Sequence, residues 1–170
     1  MTGSRLPRAI LFDWDNTLVD NWHVIRDASN ATLSAMGHPT WSLEETKRRV
    51  RASLRDSFPR MFGDRWPEAR EIYYRAFAAR HLEALKPMAG AEILLRDLAR
   101  RGIPLGIVSN KHGQYLRTEA DHLGWTPLFG AIIGAGLSGD GYEDAAPAED
   151  GAGGYRAMRM ALQRAGLQPK

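Results

Sequence analysis

Two carboxylates directly follow a short apolar segment near the start of the chain. Residues 9–12 (AILF) are all apolar, and Asp13 and Asp15 belong to the segment 13–17, DWDNT. A run this short favours a strand buried on both faces over a helix. Because ligands of open α/β sheets bind at the carboxyl ends of parallel strands, two carboxylates here can converge on one ligand if the backbone turns. One can attack phosphorus while the other handles the proton of the leaving oxygen, with a metal ion to reduce charge repulsion.

A plainer interpretation of the same segment is a turn in which Asp13 and Asp15 only cap backbone amides. A second polar segment poses a similar choice. The apolar run 103–108 is followed by Ser109 and Asn110. Taken alone, Ser and Asn after a strand are typical of a helix cap.

Strands and helices alternate through the second half of the chain. Each predicted helix there is followed at once by glycine, a common helix terminator. The predicted order is helix 91–101, strand 103–108, helix 114–123, strand 131–133 and helix 153–165. This alternation implies βαβ units and a parallel sheet that begins with the strand at 9–12.

The residues between the first strand and this alternating region have only helical patterns. Apolar spacing and capping signals predict three helices and no strand. They are expected to start at Trp22, after the Ser42–Glu45 capping box, and at Pro67, with the second continuing to Leu54. We therefore expect a core formed by residues 1–20 and 88–170, with an all-helical insertion at 21–87.

The two polar segments carry a resemblance to a known family. The segment 12–18 (FDWDNTL) closely resembles the DxDxT first motif of the haloacid dehalogenase-like phosphohydrolases. The segment 108–111 (VSNK) resembles their second motif, especially in phosphoglycolate phosphatase-like members. The helical insertion is similar in place and size to the cap that these phosphatases fold over their active site. The resemblance covers most of residues 8–136 and implies a Rossmann-like parallel sheet core with an inserted all-helical cap.

The resemblance also implies a role for each motif residue. Asp13 would be the nucleophile that becomes an aspartyl-phosphate, and Asp15 would be the general acid and base. The side chain of Asp13 and the backbone carbonyl of Asp15 would hold Mg²⁺. The substrate, a small phosphorylated metabolite, would be bound by Thr17, which also braces the turn, and by Ser109, Asn110 and Lys111.

The sequence departs from the family pattern after Gly136. The family has a lysine in the loop beyond the third strand, but the corresponding stretch 143–147 is EDAAP. Lys111 would have to fold back to replace it. Asp140 and Asp144 have the letters of the family's metal-binding acidic motif, but no apolar strand leads into them. We therefore expect the C-terminal strand or strands of the core to be missing, and the chain alone to be a very poor phosphatase.

A different class of function stays open beside the enzyme. A catalytically impaired or truncated relative would act as a phosphate- or protein-binding module, and the departures after Gly136 favour it. A dehalogenase is disfavoured because Asp15 and Thr17 match the phosphatase form of the motif. The stretch between Glu44 and Arg60 is rich in basic residues, but no RNA- or DNA-binding motif accompanies it, so no nucleic-acid partner is expected.

The composition of the chain excludes cysteine chemistry and argues against a membrane span. The 170 residues carry a net charge of +3 and contain no cysteine, which excludes disulfides and thiolate chemistry. No apolar stretch approaches the ~20 residues that a bilayer requires, and no apolar signal segment precedes the first charges, so we expect a cytoplasmic protein without a membrane partner. If a core strand is missing, residues 9–12 would form an exposed sheet edge, which predicts self-association.

Overall fold

The computed structural model describes residues 7–50 and 54–135, except for the side chain of Arg55. These residues divide into two compact units. One is Asp20–Lys86, and the other consists of the described residues on either side of it. The predicted helix at 153–165 and the acidic segment around Asp140 and Asp144 lie outside the described residues.

The unit that holds both motifs is built on a parallel sheet. Its elements are β1 (Ile10–Phe12), α5 (Ala91–Arg100), β4 (Leu105–His112), α6 (Gly113–His122) and β5 (Ala131–Ala135). The three strands are parallel and lie in the order β1-β4-β5. This arrangement confirms the predicted α/β class, and among the described residues β1 pairs within this sheet only with β4.

The buried strand residues of this unit come from the apolar runs of β4 and β5, whereas Ile10–Phe12 of β1 are half-buried. Leu105 and Ile107 on β4 and Ile133 on β5 are buried. Helices α5 and α6 bury Leu95 and Leu116. The burial of β4 residues is consistent with a central strand, because side chains on both faces of a sheet strand are then covered.

The other unit is helical. It contains α1 (Trp22–Ala35), α2 (Leu43–Arg49), α3 (Leu54–Phe62) and α4 (Trp66–Ala78). The Ser42–Glu45 capping box is present, with both reciprocal hydrogen bonds. The prediction that one helix continues to Leu54 is wrong, because Val50 leaves the helical region with ψ 80°. Residues 51–53 lie outside the described residues, and α3 begins afresh at Leu54.

Short strands stand where the chain passes between the two units. Val19–Asp20 (β2) and Lys86–Pro87 (β3) form a two-stranded sheet. The expectation that residues 21–86 contain no strand is therefore wrong at Lys86. Proline fixes φ near −65°, which suits an extended edge strand as well as a helix end. Among the described residues, no helix is both long enough and apolar enough to cross a membrane.

Candidate active site

A closed turn follows β1 and fixes the spacing of the first motif. The Trp14 carbonyl accepts hydrogen bonds from the backbone N–H groups of Thr17 at 3.2 Å, Leu18 at 2.9 Å and Val19 at 3.3 Å. Asn16 donates its N–H to the Val19 carbonyl at 2.6 Å and has a left-handed backbone with φ 61°. Asn adopts this conformation more readily than most residues. The predicted turn after the first strand is therefore present.

The two carboxylates of the turn differ in exposure. Asp13 is exposed, whereas the Asp15 side chain is 23% exposed. Phe12 is aligned with Ile107 in the parallel pairing of β1 and β4. Asp13 comes one residue after this pair and Ser109 two residues after it. The sheet thus brings both motifs to its carboxyl edge, as the sequence predicted.

Strand β4 continues further than predicted. The expected strand ended at residue 108, but β4 extends to His112 with an irregularity in its pairing with β5 between Ser109 and His112. Ser109 is buried, and its hydroxyl accepts the Lys111 backbone N–H at 3.3 Å. Helix α6 begins at Gly113 with His112 as its N-cap residue, so the helix-cap interpretation of Ser109 is wrong. Asn110 is exposed on the same strand.

A glycine on β5 permits this irregular path. A Cβ atom on Gly134 would lie 2.6 Å from the Gly113 Cα atom and 2.7 Å from the Lys111 carbonyl oxygen. Both distances are shorter than real Cβ contacts allow, and both atoms are backbone, so they cannot move away easily. Gly134 therefore lets the segment that carries Lys111 approach β5.

Lys111 lies beside the first motif. Its Nζ atom is 2.9 Å from Asp15 Oδ1 and 3.0 Å from Glu119 Oε1, and its side chain is only 5% exposed. Lys111 was expected to need to fold back to reach the first motif, and it does reach Asp15 from the irregular end of β4. A buried ammonium group thus lies next to the Asp15 carboxylate of the first motif.

Glu119 is a further residue of the site, and it was not predicted from the sequence. It lies on α6 with 0% exposure, and its Oε2 atom accepts the Trp14 indole N–H at 2.7 Å. A signal was present in the sequence, because Glu119 occupies the apolar face of α6 together with Leu116 and Ala120 at helical spacing. We use the name lysine cluster for the four residues that these contacts join, Lys111, Glu119, Trp14 and Asp15.

Two further side chains of this region, those of Thr17 and Tyr115, lie outside the lysine cluster. Thr17 is exposed, and it lines a hollow of about 270 Å³ whose described lining contains no charged side chain. Tyr115 on α6 packs against His112 with ring centroids 5.6 Å apart, and burial raises the pKa of its phenol. Of the predicted site residues, Lys111 thus contacts Asp15. Thr17 instead lines a hollow whose described lining contains no carboxylate.

The oxygen atoms of the first motif suit a hard divalent cation. The Asp13 carboxylate and the Asp15 backbone carbonyl are ligands of the type that Mg²⁺ prefers, and Mg²⁺ commonly binds through one or two carboxylates plus waters and substrate phosphate. Within residues 7–50 and 54–135, no group of three or more acidic or histidine side chains could hold a metal. Asp140 and Asp144, for which the sequence offers the letters of the acidic motif but no preceding apolar strand, lie outside the described residues.

Comparison with known proteins shows the family of the chain. The family model described as haloacid dehalogenase-like hydrolase matches residues 10–139. A phosphoglycolate phosphatase from Xanthomonas campestris pv. campestris is 32% identical over 134 residues, which cover 76% of this chain and 61% of that protein. A phosphoglycolate phosphatase from Aquifex aeolicus is 28% identical over 137 residues, which cover 78% of this chain and 63% of that protein. The chain thus spans less than two thirds of the length of these relatives.

Solved structures match over more of the chain. A haloacid dehalogenase-like hydrolase from Streptococcus pneumoniae has a TM-score of 0.77 and 26% sequence identity, and the match covers 96% of this chain and 72% of that one. A predicted phosphatase from Clostridium acetobutylicum has a TM-score of 0.78 and 22% identity, with the same coverage of 96% and 72%. The second likeness concerns the fold alone.

Proposed function

Because the chain belongs to the haloacid dehalogenase-like hydrolase family, we propose that it is a phosphatase that hydrolyses phosphate monoesters through Asp13. The observation that supports this most directly is the buried Lys111 ammonium, 2.9 Å from Asp15. A phosphate dianion beside the ionised Asp13 carboxylate is repelled, by about 4 kcal/mol for each pair of unit charges ~4 Å apart at an effective dielectric of ~20. Lys111 offsets part of this repulsion.

Asp13 and Asp15 have complementary roles in the proposed reaction. The reaction starts with Asp15 protonated. An oxygen of Asp13 attacks phosphorus, the ester P–O bond breaks, and Asp15 gives that proton to the leaving oxygen. A water molecule then attacks the same phosphorus, Asp15 takes a proton from that water, and Asp13 leaves as a carboxylate. Phosphate and the alcohol are the two products, and both side chains return to their starting states.

The residues of β4 bind the transferred phosphoryl group in this proposal. The hydroxyl of Ser109 and the ammonium of Lys111 are hydrogen-bond donors on the segment next to the first motif, and Asn110 can donate from its exposed amide. Thr17 braces the turn through its backbone N–H, and its side chain is assigned to substrate binding only by family resemblance. The central pair of donors is therefore Ser109 and Lys111.

Magnesium fits the proposed site. The Asp13 carboxylate and the Asp15 carbonyl oxygen would hold it, and it would act as a Lewis acid that polarises a phosphoryl oxygen. Asp15 Oδ1 contacts the Lys111 ammonium, so the carbonyl of Asp15 is the better candidate ligand. The described part of the chain supplies these two ligands, which favours slow hydrolysis or, in the alternative proposal, binding of phosphate without turnover.

The substrate proposed is a small phosphorylated metabolite. Two of the relatives compared above are named phosphoglycolate phosphatase, which makes phosphoglycolate the first compound to test. The test is hydrolysis of phosphoglycolate and of p-nitrophenyl phosphate with saturating Mg²⁺. We expect phosphate release that exceeds the Asp13→Asn blank and disappears when Mg²⁺ is chelated. Release equal to that of Asp13→Asn would contradict the phosphatase and leave the binding module.

A further inference from the structure

Neither family motif accounts for Glu119. It is a completely buried carboxylate on the inner face of α6, between the buried residues Leu116 and Ala120. An apolar side chain would pack at this position without loss of hydration. A buried charge is costly unless it is paired and hydrogen-bonded. The energetic cost of Glu119 therefore needs a compensating interaction.

Glu119 has two partners from separate segments of the chain. Its Oε1 atom lies 3.0 Å from Lys111 Nζ, and its Oε2 atom accepts the Trp14 indole N–H at 2.7 Å. Trp14 stands between the two carboxylates of the first motif, is fully buried, and packs edge-to-face against Trp125 at 5.8 Å. The indole thus holds one carboxylate oxygen of Glu119 while the other meets the ammonium.

The same ammonium contacts Asp15. Lysine has a flexible side chain whose position is rarely fixed by its own backbone, so an anchor on its buried side determines where the charge stands. Glu119 supplies that anchor, since Lys111 Nζ lies 3.0 Å from Glu119 and 2.9 Å from Asp15. The first motif contributes to the anchor through Trp14, the residue between its two aspartates.

We infer that Glu119 is a positioning residue, which holds the Lys111 ammonium against Asp15 and thereby keeps a positive charge at the phosphoryl site. The inference rests on the proposed phosphatase function for its effect on rate. It assigns Trp14 a role as well, because the indole N–H fixes the orientation of Glu119. Preorganised charge of this kind contributes to catalysis because it needs no rearrangement during the reaction.

The first test is a double-mutant cycle on hydrolysis. Glu119→Gln keeps the size of the side chain and an oxygen for the Trp14 indole, but it removes the negative charge. We expect kcat to fall about tenfold or more, and Lys111→Gln combined with Glu119→Gln to be no slower than Lys111→Gln alone. Glu92→Gln, at an exposed ion pair on α5, is the matched control and should leave kcat unchanged.

A merely structural role of Glu119 predicts a different pattern. Glu119→Gln would then lower thermal stability while kcat per folded molecule stays unchanged, or its effect would multiply with that of Lys111→Gln. Either pattern overturns the inference. If the wild-type chain hydrolyses no ester, the phosphatase proposal fails first, and a measurement without turnover decides on Glu119.

The second test reads the position of Lys111 directly. The chain contains four lysines, at positions 47, 86, 111 and 170, and acetylation of each can be followed by mass spectrometry after brief exposure to acetic anhydride. In the wild type Lys111 should be acetylated more slowly than Lys47, whose side chain is 39% exposed. In folded Glu119→Gln the ratio of Lys111 to Lys47 acetylation should rise about fivefold or more, because an unanchored lysine samples more conformations.

A second variant keeps this test decisive. Trp14→Phe removes the indole N–H and retains an aromatic ring, and it should raise acetylation of Lys111 in the same direction as Glu119→Gln. If Glu119→Gln does not fold, Trp14→Phe serves as the test variant in its place. Unchanged protection of Lys111 in every folded variant contradicts the positioning role, whether or not the protein proves to be a phosphatase.

Discussion

The charged side chains of the two compact units are used in different ways. In the helical unit, Arg65 and Glu68 form an ion pair with side chains 58% and 53% exposed. In the sheet unit, Lys111 and Glu119 form an ion pair with side chains 5% and 0% exposed. Exposed pairs contribute little to stability, because water screens them and they lose side-chain entropy. Buried pairs cost desolvation and break expensively. The buried charged residues Lys111 and Glu119 are thus the ones to which we assign a function.

The largest effect is expected when the buried pair is broken. Lys111→Met leaves the Glu119 carboxylate buried without its cation, which should lower the free energy of unfolding by about 3–5 kcal/mol. Urea denaturation measures this loss. Addition of Glu119→Leu removes the uncompensated charge and should recover most of it.

The matched control is an exposed lysine in the helical unit. Lys47 pairs with Glu44, with side chains 39% and 78% exposed, and Lys47→Met should change the free energy of unfolding by no more than about 0.5 kcal/mol. If Lys111→Met lowered the free energy of unfolding by as little as Lys47→Met, the buried and exposed ion pairs would contribute equally to stability. That result would contradict the difference that we draw between the two units.

Self-association is a second proposed property of the sheet unit. Within the described residues, β1 pairs in the parallel sheet only with β4, and an unpaired strand edge is a template for another chain. We therefore predict dimers or larger species by light scattering at high concentration, with rapid amide exchange at Ile10–Phe12 in dilute protein. A monodisperse monomer with slow exchange in that strand would remove this prediction.

The smallest effect is expected at the exposed pair of the helical unit. The hydrogen bond from Arg65 lowers the pKa of the Glu68 carboxyl below its ordinary value, and the Glu68 carboxylate raises the pKa of Arg65. A depressed carboxyl pKa contributes stability above the unfolded-state pKa, and this contribution is lost as pH falls through the folded-state pKa. Since both side chains are exposed, Arg65→Gln should raise the Glu68 pKa in an NMR titration without a measurable change in melting temperature. A clear loss of melting temperature would mean that exposed pairs here matter more than we argue.

The sequence could predict the features that have a local signal. Short apolar runs before Asp13 and Ser109 indicated strands of a parallel sheet, and the capping box at Ser42 indicated the start of α2. The strand before Ser109 is largely buried, whereas Ile10–Phe12 are only half-buried, unlike the prediction of a first strand buried on both faces. The resemblance then identified both motifs, whose family is confirmed by the comparisons. Each of these signals lies within a few residues of the structure that it predicts.

The lysine cluster has no such local signal. Lys111 and Asp15 are 96 residues apart in the chain, and Trp14 and Glu119 are 105 apart. Their contact depends on the continuation of β4 to His112 and on the space beside Gly134, which apolar patterns do not encode. The position of a glutamate on the apolar face of a predicted helix indicated that its carboxylate is buried, but it did not indicate which residues pair with that carboxylate.

Lys111 also changes the expectation of very weak activity. That expectation counted the family's loop lysine and part of its metal site as lost together, at a cost of ~10⁴ or more in rate. In the proposed mechanism, the buried ammonium 2.9 Å from Asp15 would supply one of these charges. The remaining deficit is that of a single charge-stabilising group, about 10²–10³, so we expect slow but measurable turnover below roughly 1 s⁻¹.

The central claim is that Asp13 is a phosphorylatable nucleophile at the lysine cluster, and beryllium fluoride tests it most directly. With Mg²⁺ present, the reagent forms a stable mimic of an aspartyl-phosphate, and the site of the adduct can be read from a crystal structure and its stoichiometry from ¹⁹F NMR. We predict one adduct per chain on the Asp13 carboxylate, within reach of Ser109 and Lys111, and none in Asp13→Asn. Full uptake by Ser109→Ala would remove only the phosphate-binding role of that hydroxyl. An adduct on another residue, or equal uptake by Asp13→Asn, would contradict the account.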